Sequence, residues 1–144
     1  MKALIDTNII VDVLQNRQPW ASDGQEIFIA AANRKFEGFI TAKEVTDIHY
    51  FIRKNFRGHY NADRQARQVI SKLFSLFGIL DTSATDCKKA VLSECPDYED
   101  AVMIETAIRT GMDCIITRNT ADYSRSPVKI FSPSEFLLCL QDTH

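Results

Sequence analysis

The sequence is poor in several kinds of feature, and each scarcity excludes a class of structure. No stretch approaches the ~18 consecutive apolar residues of a membrane-spanning helix, so we expect no membrane association. Five glycines and four prolines in 144 residues, with 45% hydrophobic residues, are typical of a globular chain. The four cysteines form no C-x-x-C pair, which favours free thiols over disulfides. The three histidines, His144 included, show no zinc-ligand spacing.

The charge balance gives no strong attraction to any polyanion. The net charge is −2 and the pI is about 5.9, so a nucleic-acid partner can be argued only from local clusters of basic residues. The chain opens with one lysine, a short apolar stretch and then Asp6, which is unlike a signal peptide. We therefore expect a single cytoplasmic domain over residues 1–144, long enough to bury its core without disulfides.

Short apolar runs alternate with helical patterns along the whole chain. The runs, which are the length of buried strands, span residues 2–5, 36–41, 78–81, 114–117 and 128–131. Strands that alternate with helices of ordinary length indicate a parallel sheet covered by helices on both faces. The sequence thus predicts a three-layer α/β/α fold with a parallel sheet of about five strands.

Several helix boundaries carry recognisable signals. Capping boxes begin at Ser22, Thr41 and Ser132, each with Gln or Glu three residues later. Asn61 is the expected cap of a further helix. A helix predicted over residues 98–110 ends just before a glycine, which suits a left-handed helix terminus.

Four acidic residues occupy comparable places in this predicted fold. Asp6 follows the first strand and Asp122 follows the fourth. Glu44 and Asp100 each lie in the first turn of a predicted helix. Because ligands of open α/β sheets collect outside the carboxyl ends of the strands, we expect these four side chains to converge at one edge.

Each acid also has an ordinary structural explanation. Asp6 is a good cap for the following helix, and Glu44 stands where a capping box carries a structural glutamate. Asp97 and Asp100 form an acidic helix start that favourable interaction with the helix dipole would explain. Asp122 suits an Asx turn. The case for a binding site therefore depends on their joint placement.

Carboxylates gathered at one edge repel each other unless a cation lies among them. Oxygen ligands without histidine suit Mg²⁺ or Mn²⁺ rather than zinc. The sequence contains no phosphate-binding glycine loop and no nucleophile–histidine arrangement that would offer a different chemistry.

The motifs around these acids resemble those of a PIN domain, the fold of many metal-dependent ribonucleases, including VapC-type toxins. The similarity runs from Met1 to about Phe136. It rests on Asp6-Thr7-Asn8, Glu44, Pro96-Asp97-Tyr98-Glu99-Asp100-Ala101, Thr117-Arg118-Asn119 and Asp122-Tyr123.

The resemblance implies an endoribonuclease that uses Mg²⁺ or Mn²⁺ to hydrolyse phosphodiester bonds of single-stranded RNA. It also implies the toxin of a toxin–antitoxin pair, with an antitoxin protein as partner and a homodimer as the assembly. By the same resemblance, an ion is held by Asp6, Glu44 and Asp100, with Asp122 completing the pocket directly or through water and Asp97 as an additional ligand. Carboxylates or water are oriented by Asn8, Thr117 and Asn119.

Substrate contact should come from local positive charge, because an acidic pocket repels a polyanion. The segment from His49 to Lys72 is basic and aromatic, with Asp63 as its only acid. Such residues contact phosphates and stack on unpaired bases, although a solvated helix pair with aromatic residues in the core explains the pattern equally. The residues predicted to bind RNA are Arg53, Lys54, Arg57, Tyr60, Arg64 and, near the acidic edge, Arg118.

Two other functions are compatible with an aspartate after the first strand. One is a phosphoryl-handling α/β protein, either a receiver-like domain or a haloacid-dehalogenase-type phosphatase. The phosphatase requires an aspartate at the position of Asn8, and the receiver requires a lysine after a late strand, where Thr117-Arg118-Asn119 stands. The other is a PIN-fold binding module without catalysis.

Overall fold

The computed structural model describes residues 1–143; His144, and with it the end of the predicted domain, lies outside the described residues. Residues 1–143 form five β strands and seven α helices. The strands are β1 (Lys2–Ile5), β2 (Glu37–Thr41), β3 (Gly78–Leu80), β4 (Cys114–Ile116) and β5 (Lys129–Phe131). The helices are α1 (Thr7–Leu14), α2 (Ala21–Ala32), α3 (Ala42–Asn55), α4 (Ala62–Leu73), α5 (Ala84–Val91), α6 (Tyr98–Thr110) and α7 (Pro133–Asp142).

The strands form one parallel sheet in the order β3-β2-β1-β4-β5. Leu4 of β1 pairs with Phe39 on one side and Ile115 on the other, so β1 is the central strand. The predicted three-layer α/β/α fold is confirmed. The order also differs from the 2-1-3-4-5 order of receiver-like domains, which argues against that alternative.

Alternate residues of the central strands face opposite helical layers, as the two-residue period of a strand requires. Ile5 and Ile116 belong to the core beneath α1, α2, α3, α4 and α7. Leu4 and Ile115 instead pack with Met103 of α6 on the other face. Because both faces are covered, β1 is apolar throughout its buried length, and Ala3, Leu4 and Ile5 are all fully buried.

The predicted helix boundaries are partly confirmed. The boxes at Thr41 and Ser132 form with both reciprocal hydrogen bonds. The prediction at Ser22 is wrong, because the N–H of Ala21 already bonds to the Arg17 carbonyl oxygen and the helix begins two residues earlier than a cap at Ser22 would place it. Asn61 stands at the start of α4, but its side chain accepts a hydrogen bond from Gln65 and does not cap the backbone.

β1 and β4 are neighbours in the sheet, but the strands that follow them along the chain lie toward opposite edges of the sheet. This reversal creates a crevice between β1 and β4. In open α/β folds, ligands bind outside the carboxyl ends of the strands at such a point. Asp6 follows β1 and Thr117 follows β4, so both stand at this crevice. Among the described residues, no helix is both long and apolar enough to cross a membrane.

Candidate metal centre

A cleft of about 520 Å³ opens beside this crevice. Three of the predicted acids line it, and each comes from a different element: Asp6 from the end of β1, Glu44 from the first turn of α3 and Asp100 from the first turn of α6. Lys43, Tyr50 and other residues of α3 and α6 complete its walls. The fold thus brings together carboxylates that lie far apart in the sequence.

Asp6 is held at the junction of β1 and α1. Its backbone N–H bonds to the Ile116 carbonyl oxygen at 2.9 Å, which extends the pairing of β1 with β4. Its Oδ2 accepts a hydrogen bond of 2.7 Å from the Thr117 hydroxyl. Burial raises the pKa of Asp6, while the Thr117 hydroxyl and the backbone N–H groups of Thr7 and Asn8 oppose that rise.

Glu44 has a structural role and also faces the cleft. Its Oε1 accepts a hydrogen bond of 2.9 Å from the Thr41 backbone N–H, which closes the capping box of α3. Its Oε2 accepts a bond of 3.1 Å from the Thr7 hydroxyl. The residue is only 2% exposed, and burial, followed by the charge of Asp6, raises its pKa well above the ordinary value. Glu44 can therefore cap α3 and face the cleft at the same time.

Asp100 is partly buried in the opposite wall. Its Oδ1 accepts a hydrogen bond of 3.0 Å from the Tyr123 hydroxyl. Burial raises its pKa to about 6, and the charges of Asp6, Asp97 and Asp122 contribute to that rise. Burial is thus the main cause of the raised pKa of Asp100, and three neighbouring acids at this edge of the sheet add to it.

Asp97 and Asp122 stand close enough to act on Asp100 but do not line the cleft. Asp97 caps α6, because its Oδ1 accepts a hydrogen bond of 3.0 Å from the Asp100 backbone N–H. Asp122 lies exposed in a 3₁₀ helix over Thr120–Tyr123, and its carbonyl oxygen accepts a hydrogen bond from the Cys95 thiol. Both residues therefore add charge at the rim of the site.

The predicted supporting residues differ in what they contact. The Thr117 hydroxyl, which donates to Asp6, also accepts a hydrogen bond of 3.1 Å from the Asn119 backbone N–H, and this fixes the turn after β4. Asn119 is otherwise exposed. The side-chain oxygen of Asn8 is buried without a hydrogen-bond partner in residues 1–143.

The chemistry of these residues fits a hard divalent cation. The donors that line the cleft are carboxylate oxygens, which Mg²⁺ and Mn²⁺ prefer, and burial together with the charge of Asp6 raises the pKa of both Glu44 and Asp100. Within residues 1–143, no three His, Cys, Asp or Glu side chains already form a group that could hold a metal ion. An ion would therefore have to draw the carboxylates inward.

Lys43 is the only basic residue among the described residues that line the cleft. Its Nζ is 2.6 Å from Asp47 Oδ2 on the same helix and 3.3 Å from Glu99 Oε2 on α6. Burial works against its charge, but the bonds to Asp47 and Glu99 prevail and raise its pKa. This exposed bridge spans the cleft from α3 to α6, and sequence analysis gave no signal for it.

The predicted RNA-binding residues fall into separate groups. Arg53, Lys54 and Arg57 line a second cavity of about 360 Å³. Tyr60 is fully exposed and Arg64 is exposed. Neither residue lines the acidic cleft or this second cavity.

Arg118 has an intramolecular partner instead. Its Nε and Nη2 bond to the buried Asp12 carboxylate at 2.7 and 3.2 Å, and its guanidinium lies 4.2 Å from the centroid of the Trp20 ring. The partly buried guanidinium is thus held against α1.

Sequence reasoning missed Tyr123 and Asp12. Tyr123 directly follows Asp122 in the quoted motif, and its position beside an acid was the available signal. Asp12 falls within the apolar face of α1, where an aspartate next to Val11 and Val13 indicates a buried partner. That partner, Arg118, is 106 residues away and could not be found from local spacing.

Comparisons with known proteins agree with this architecture. No match was found among curated protein sequences. Several solved structures share the fold. One is a toxin–antitoxin complex from Klebsiella pneumoniae, with 23% identity, a TM-score of 0.66 and coverage of 91% of this chain and 97% of that chain. Another is VapBC2 from Rickettsia felis bound to a DNA fragment from its promoter, with 17% identity, a TM-score of 0.62 and coverage of 92% and 98%.

A third similar structure is VapC20 from Mycobacterium tuberculosis, described as a sarcin-ricin loop cleaving toxin. It has 10% identity and a TM-score of 0.57, with coverage of 78% of this chain and 86% of that chain. At these identities the similarity concerns the fold. The sequence itself matches the family described as PIN domain over residues 2–121, a range that holds Asp6, Glu44 and Asp100. The chain therefore belongs to the PIN domain family.

Proposed function

We propose that this protein is an endoribonuclease that uses Mg²⁺ or Mn²⁺ to hydrolyse phosphodiester bonds of single-stranded RNA. One observation carries the proposal: Asp6, Glu44 and Asp100 come from three elements and line one cleft, where burial raises the pKa of all three carboxyl groups. Such an arrangement is costly for folding unless the charges serve to bind a cation. Membership of the PIN domain family supports a nuclease.

In this proposal Asp6, Glu44 and Asp100 hold the ion, while Asp122 and Asp97 add charge or water-mediated contacts at the rim. A bound divalent ion makes an attacking water more acidic and offsets charge on the scissile phosphate. The protein supplies fixed ligands: the Thr117 hydroxyl orients Asp6, and the Tyr123 hydroxyl orients Asp100. Such outer partners tune the ligands that they contact.

We also propose that the protein is the toxin of a toxin–antitoxin pair and forms a homodimer. Support comes from the described neighbours, which are toxin–antitoxin complexes or a toxin described as cleaving the sarcin-ricin loop. Large apolar side chains that remain exposed on α5 and its C-terminal end, Val91 at 70% and Leu92 at 86%, are candidates for an interface.

The nuclease proposal is tested with fluorescently labelled single-stranded RNA in Mg²⁺, in Mn²⁺ and in EDTA. We expect cleavage only with a divalent ion. Asp6→Asn and Asp100→Asn should each lower the rate by at least about 100-fold, since loss of a ligand exceeds the effect of losing an outer partner. Asp23→Asn, at an exposed aspartate in the first turn of α2, is the matched control and should cleave normally.

Calorimetric titration with Mn²⁺ separates loss of the ion from loss of the fold. The two site variants should bind Mn²⁺ more weakly and unfold at the same temperature as wild type or higher, because a repelling charge is removed. Site variants that cleave at the wild-type rate would contradict the proposal. A wild type that binds Mn²⁺ but cleaves no RNA would leave a PIN-fold binding module as the function.

The toxin role has its own test. Expression of the protein alone should arrest growth unless Asp100 is replaced by Asn, and co-expression with its antitoxin should restore growth and yield a stoichiometric complex without ribonuclease activity. Light scattering on the isolated protein then measures whether it is a dimer. Normal growth on expression of the active enzyme would contradict the toxin role without affecting the nuclease.

A further inference from the structure

Tyr50 of α3 lies on the walls of two cavities. One is the acidic cleft with its three carboxylates. The other, the basic groove, is lined by Tyr50, Arg53, Lys54, Arg57, Gly58, His59 and Ala62. The Tyr50 side chain is 58% exposed, a large fraction for an aromatic ring between two cavities. The two cavities therefore meet at one accessible ring.

The spacing of residues along α3 makes this junction part of a continuous stripe. Lys43 and Tyr50 line the acidic cleft, while Tyr50 and Lys54 line the basic groove. Positions 43, 47, 50 and 54 follow the four-and-three-residue spacing of one helix face. Eleven residues at ~1.5 Å per residue span about 16 Å, which matches a few nucleotides of an extended strand.

The cations of the basic groove have no acidic partners among the described residues. Among residues 1–143, Arg53, Lys54 and Arg57 form no ion pair, whereas His49 and Arg67 nearby both pair with Asp63. Their positive charge is thus available to an external anion. The groove complements a polyanion at the place where the negatively charged cleft ends.

The surroundings of Tyr50 suit contact with both the base and the phosphate of a nucleotide. The Lys54 Nζ lies 4.3 Å from the centroid of its ring, in a cation–π contact. Phe51 supports the same ring edge-to-face, with centroids 5.8 Å apart. An exposed ring with a cation beside it binds a base by stacking and the attached phosphate by charge.

On the basis of the proposed nuclease function, we propose that α3 carries the substrate strand. Single-stranded RNA runs from the acidic cleft along α3 into the basic groove, Tyr50 stacks on an unpaired base at the junction, and Lys54 and Arg57 bind the phosphates beyond it. An acidic peptide would match the charge of the groove but would gain nothing from a stacking ring. Tyr60 and Arg64 line neither cavity and lie outside this path.

The test measures binding of a fluorescein-labelled single-stranded RNA of ten nucleotides by anisotropy at several salt concentrations. Asp100→Asn is the background, which prevents cleavage. Tyr50→Leu should weaken binding about ten-fold, because stacking on one base contributes on this scale, with no change in salt dependence. Tyr50→Phe keeps the ring and should bind within about two-fold of the background protein.

Charge removal should act differently. Lys54→Gln and Arg57→Gln should each weaken binding and reduce the slope of log K against log salt by about 0.7, the value for one phosphate contact on a single strand. Tyr60→Leu and Arg64→Gln are the matched aromatic and basic controls, and both should bind like the background protein. All five side chains are exposed on α3, on α4 or on the loop between them, so thermal unfolding should be nearly unchanged.

Two results would overturn the path along α3. One is normal RNA binding by Tyr50→Leu, Lys54→Gln and Arg57→Gln, which would assign the basic groove to a protein partner. The other is an equal loss of binding in Tyr60→Leu and Tyr50→Leu. Cleavage by the wild-type protein is measured separately, so a failed nuclease proposal and a failed path are distinguishable. If the wild type cleaves RNA but Tyr50→Leu does not weaken RNA binding, only the path is contradicted.

Discussion

The Tyr123 hydroxyl donates a hydrogen bond of 3.0 Å to Oδ1 of Asp100. Tyr123 is 1% exposed and packs with Leu4 and Ile115, so its ring is fixed by the core beneath the sheet. Burial, together with the nearby carboxylates of Asp6 and Asp100, raises the pKa of the phenol, which keeps it a donor. The bond in turn favours the ionised form of Asp100, against the burial that raises its pKa.

Tyr123→Phe should therefore impair activity while the protein remains folded. We expect the cleavage rate or the affinity for Mn²⁺ to fall by roughly 10-fold, as for other partners of metal ligands, and stability to fall by about 1 kcal/mol for the lost hydrogen bond. Tyr98→Phe is the control, because the Tyr98 hydroxyl donates to the Cys87 carbonyl oxygen and not to an acid. Equal effects of both substitutions on Mn²⁺ affinity would contradict a role for the Tyr123 bond.

Stability in EDTA should fall as the pH rises through the titration of Asp100. Its pKa is about 6 in the folded protein against an ordinary 3.8, so the folded state holds the proton more tightly. The resulting stabilisation is complete below about pH 3.8 and is lost as the pH passes about 6. Asp100→Asn should flatten this part of the curve of unfolding free energy against pH.

Divalent ions should reverse that dependence. Mg²⁺ or Mn²⁺ binds the deprotonated carboxylates, so the rise in melting temperature that it causes should be larger at pH 7.5 than at pH 5. Melting curves recorded with and without Mg²⁺ at both pH values measure this difference. A rise that is independent of pH would indicate binding away from Asp6, Glu44 and Asp100.

A second acidic residue, Asp86, is expected to act in stability alone. It is 1% exposed, accepts hydrogen bonds from Arg109 and Thr106, and closes the capping box of α5 with Ser83. Burial would raise its pKa, but these partners prevail and lower it to about 2. The stabilisation is thus present above the ordinary pKa of 3.8 and is lost as the pH falls toward 2.

Asp86→Ala should lower the free energy of unfolding by about 3 kcal/mol. The substitution removes the buried carboxylate that accepts hydrogen bonds from Arg109 and Thr106, and it opens the capping box of α5. Urea unfolding measures the loss. Asp23→Ala, at an exposed site, is the comparison and should change stability little. The affinity of folded Asp86→Ala protein for Mn²⁺ should equal that of wild type, and a large decrease would show that Asp86 supports the metal centre.

The sequence predicted that Arg118 binds RNA, whereas its pairing with Asp12 leads us to expect a role in stability. Arg118→Met leaves the buried Asp12 without its bidentate partner, so stability should fall by roughly 3 kcal/mol. RNA affinity of the folded fraction should change little. If stability is unaffected and the salt dependence of RNA binding decreases, Arg118 contacts phosphate, as its position near the acidic edge first indicated.

The fold could be predicted largely because its signals are local. The apolar runs of β1 and β4 and the capping boxes at Thr41 and Ser132 each lie within a few residues, and all of them form as expected. The failure at Ser22 has a physical cause: a box is only one way to begin a helix, and the turn at Arg17 provides an earlier start. Propensity at a boundary yields to the hydrogen bonds that the preceding loop can make.

The candidate site was less accessible to sequence reasoning. The edge rule for parallel strands brings Asp6, Glu44 and Asp100 to one cleft without knowledge of side-chain positions. The same rule cannot distinguish Asp122, which stays at the rim, nor identify the bridge from Lys43 to Glu99, which depends on how α3 and α6 are spaced. Pairs such as Arg118 and Asp12 depend on tertiary contacts for which local spacing carries no information.

The central position of β1 has a consequence for the order of events during synthesis. Asp6 lies near the beginning of the chain, but the Thr117 hydroxyl that orients it is 111 residues away. Contacts at such separation close late in folding, because a long loop must first be ordered. While β4 is still inside the ribosome, one edge of β1 is unpaired and Asp6 lacks its hydrogen bond from Thr117. The cleft that holds Asp6 is therefore completed only when β4 has paired with β1, near the end of synthesis.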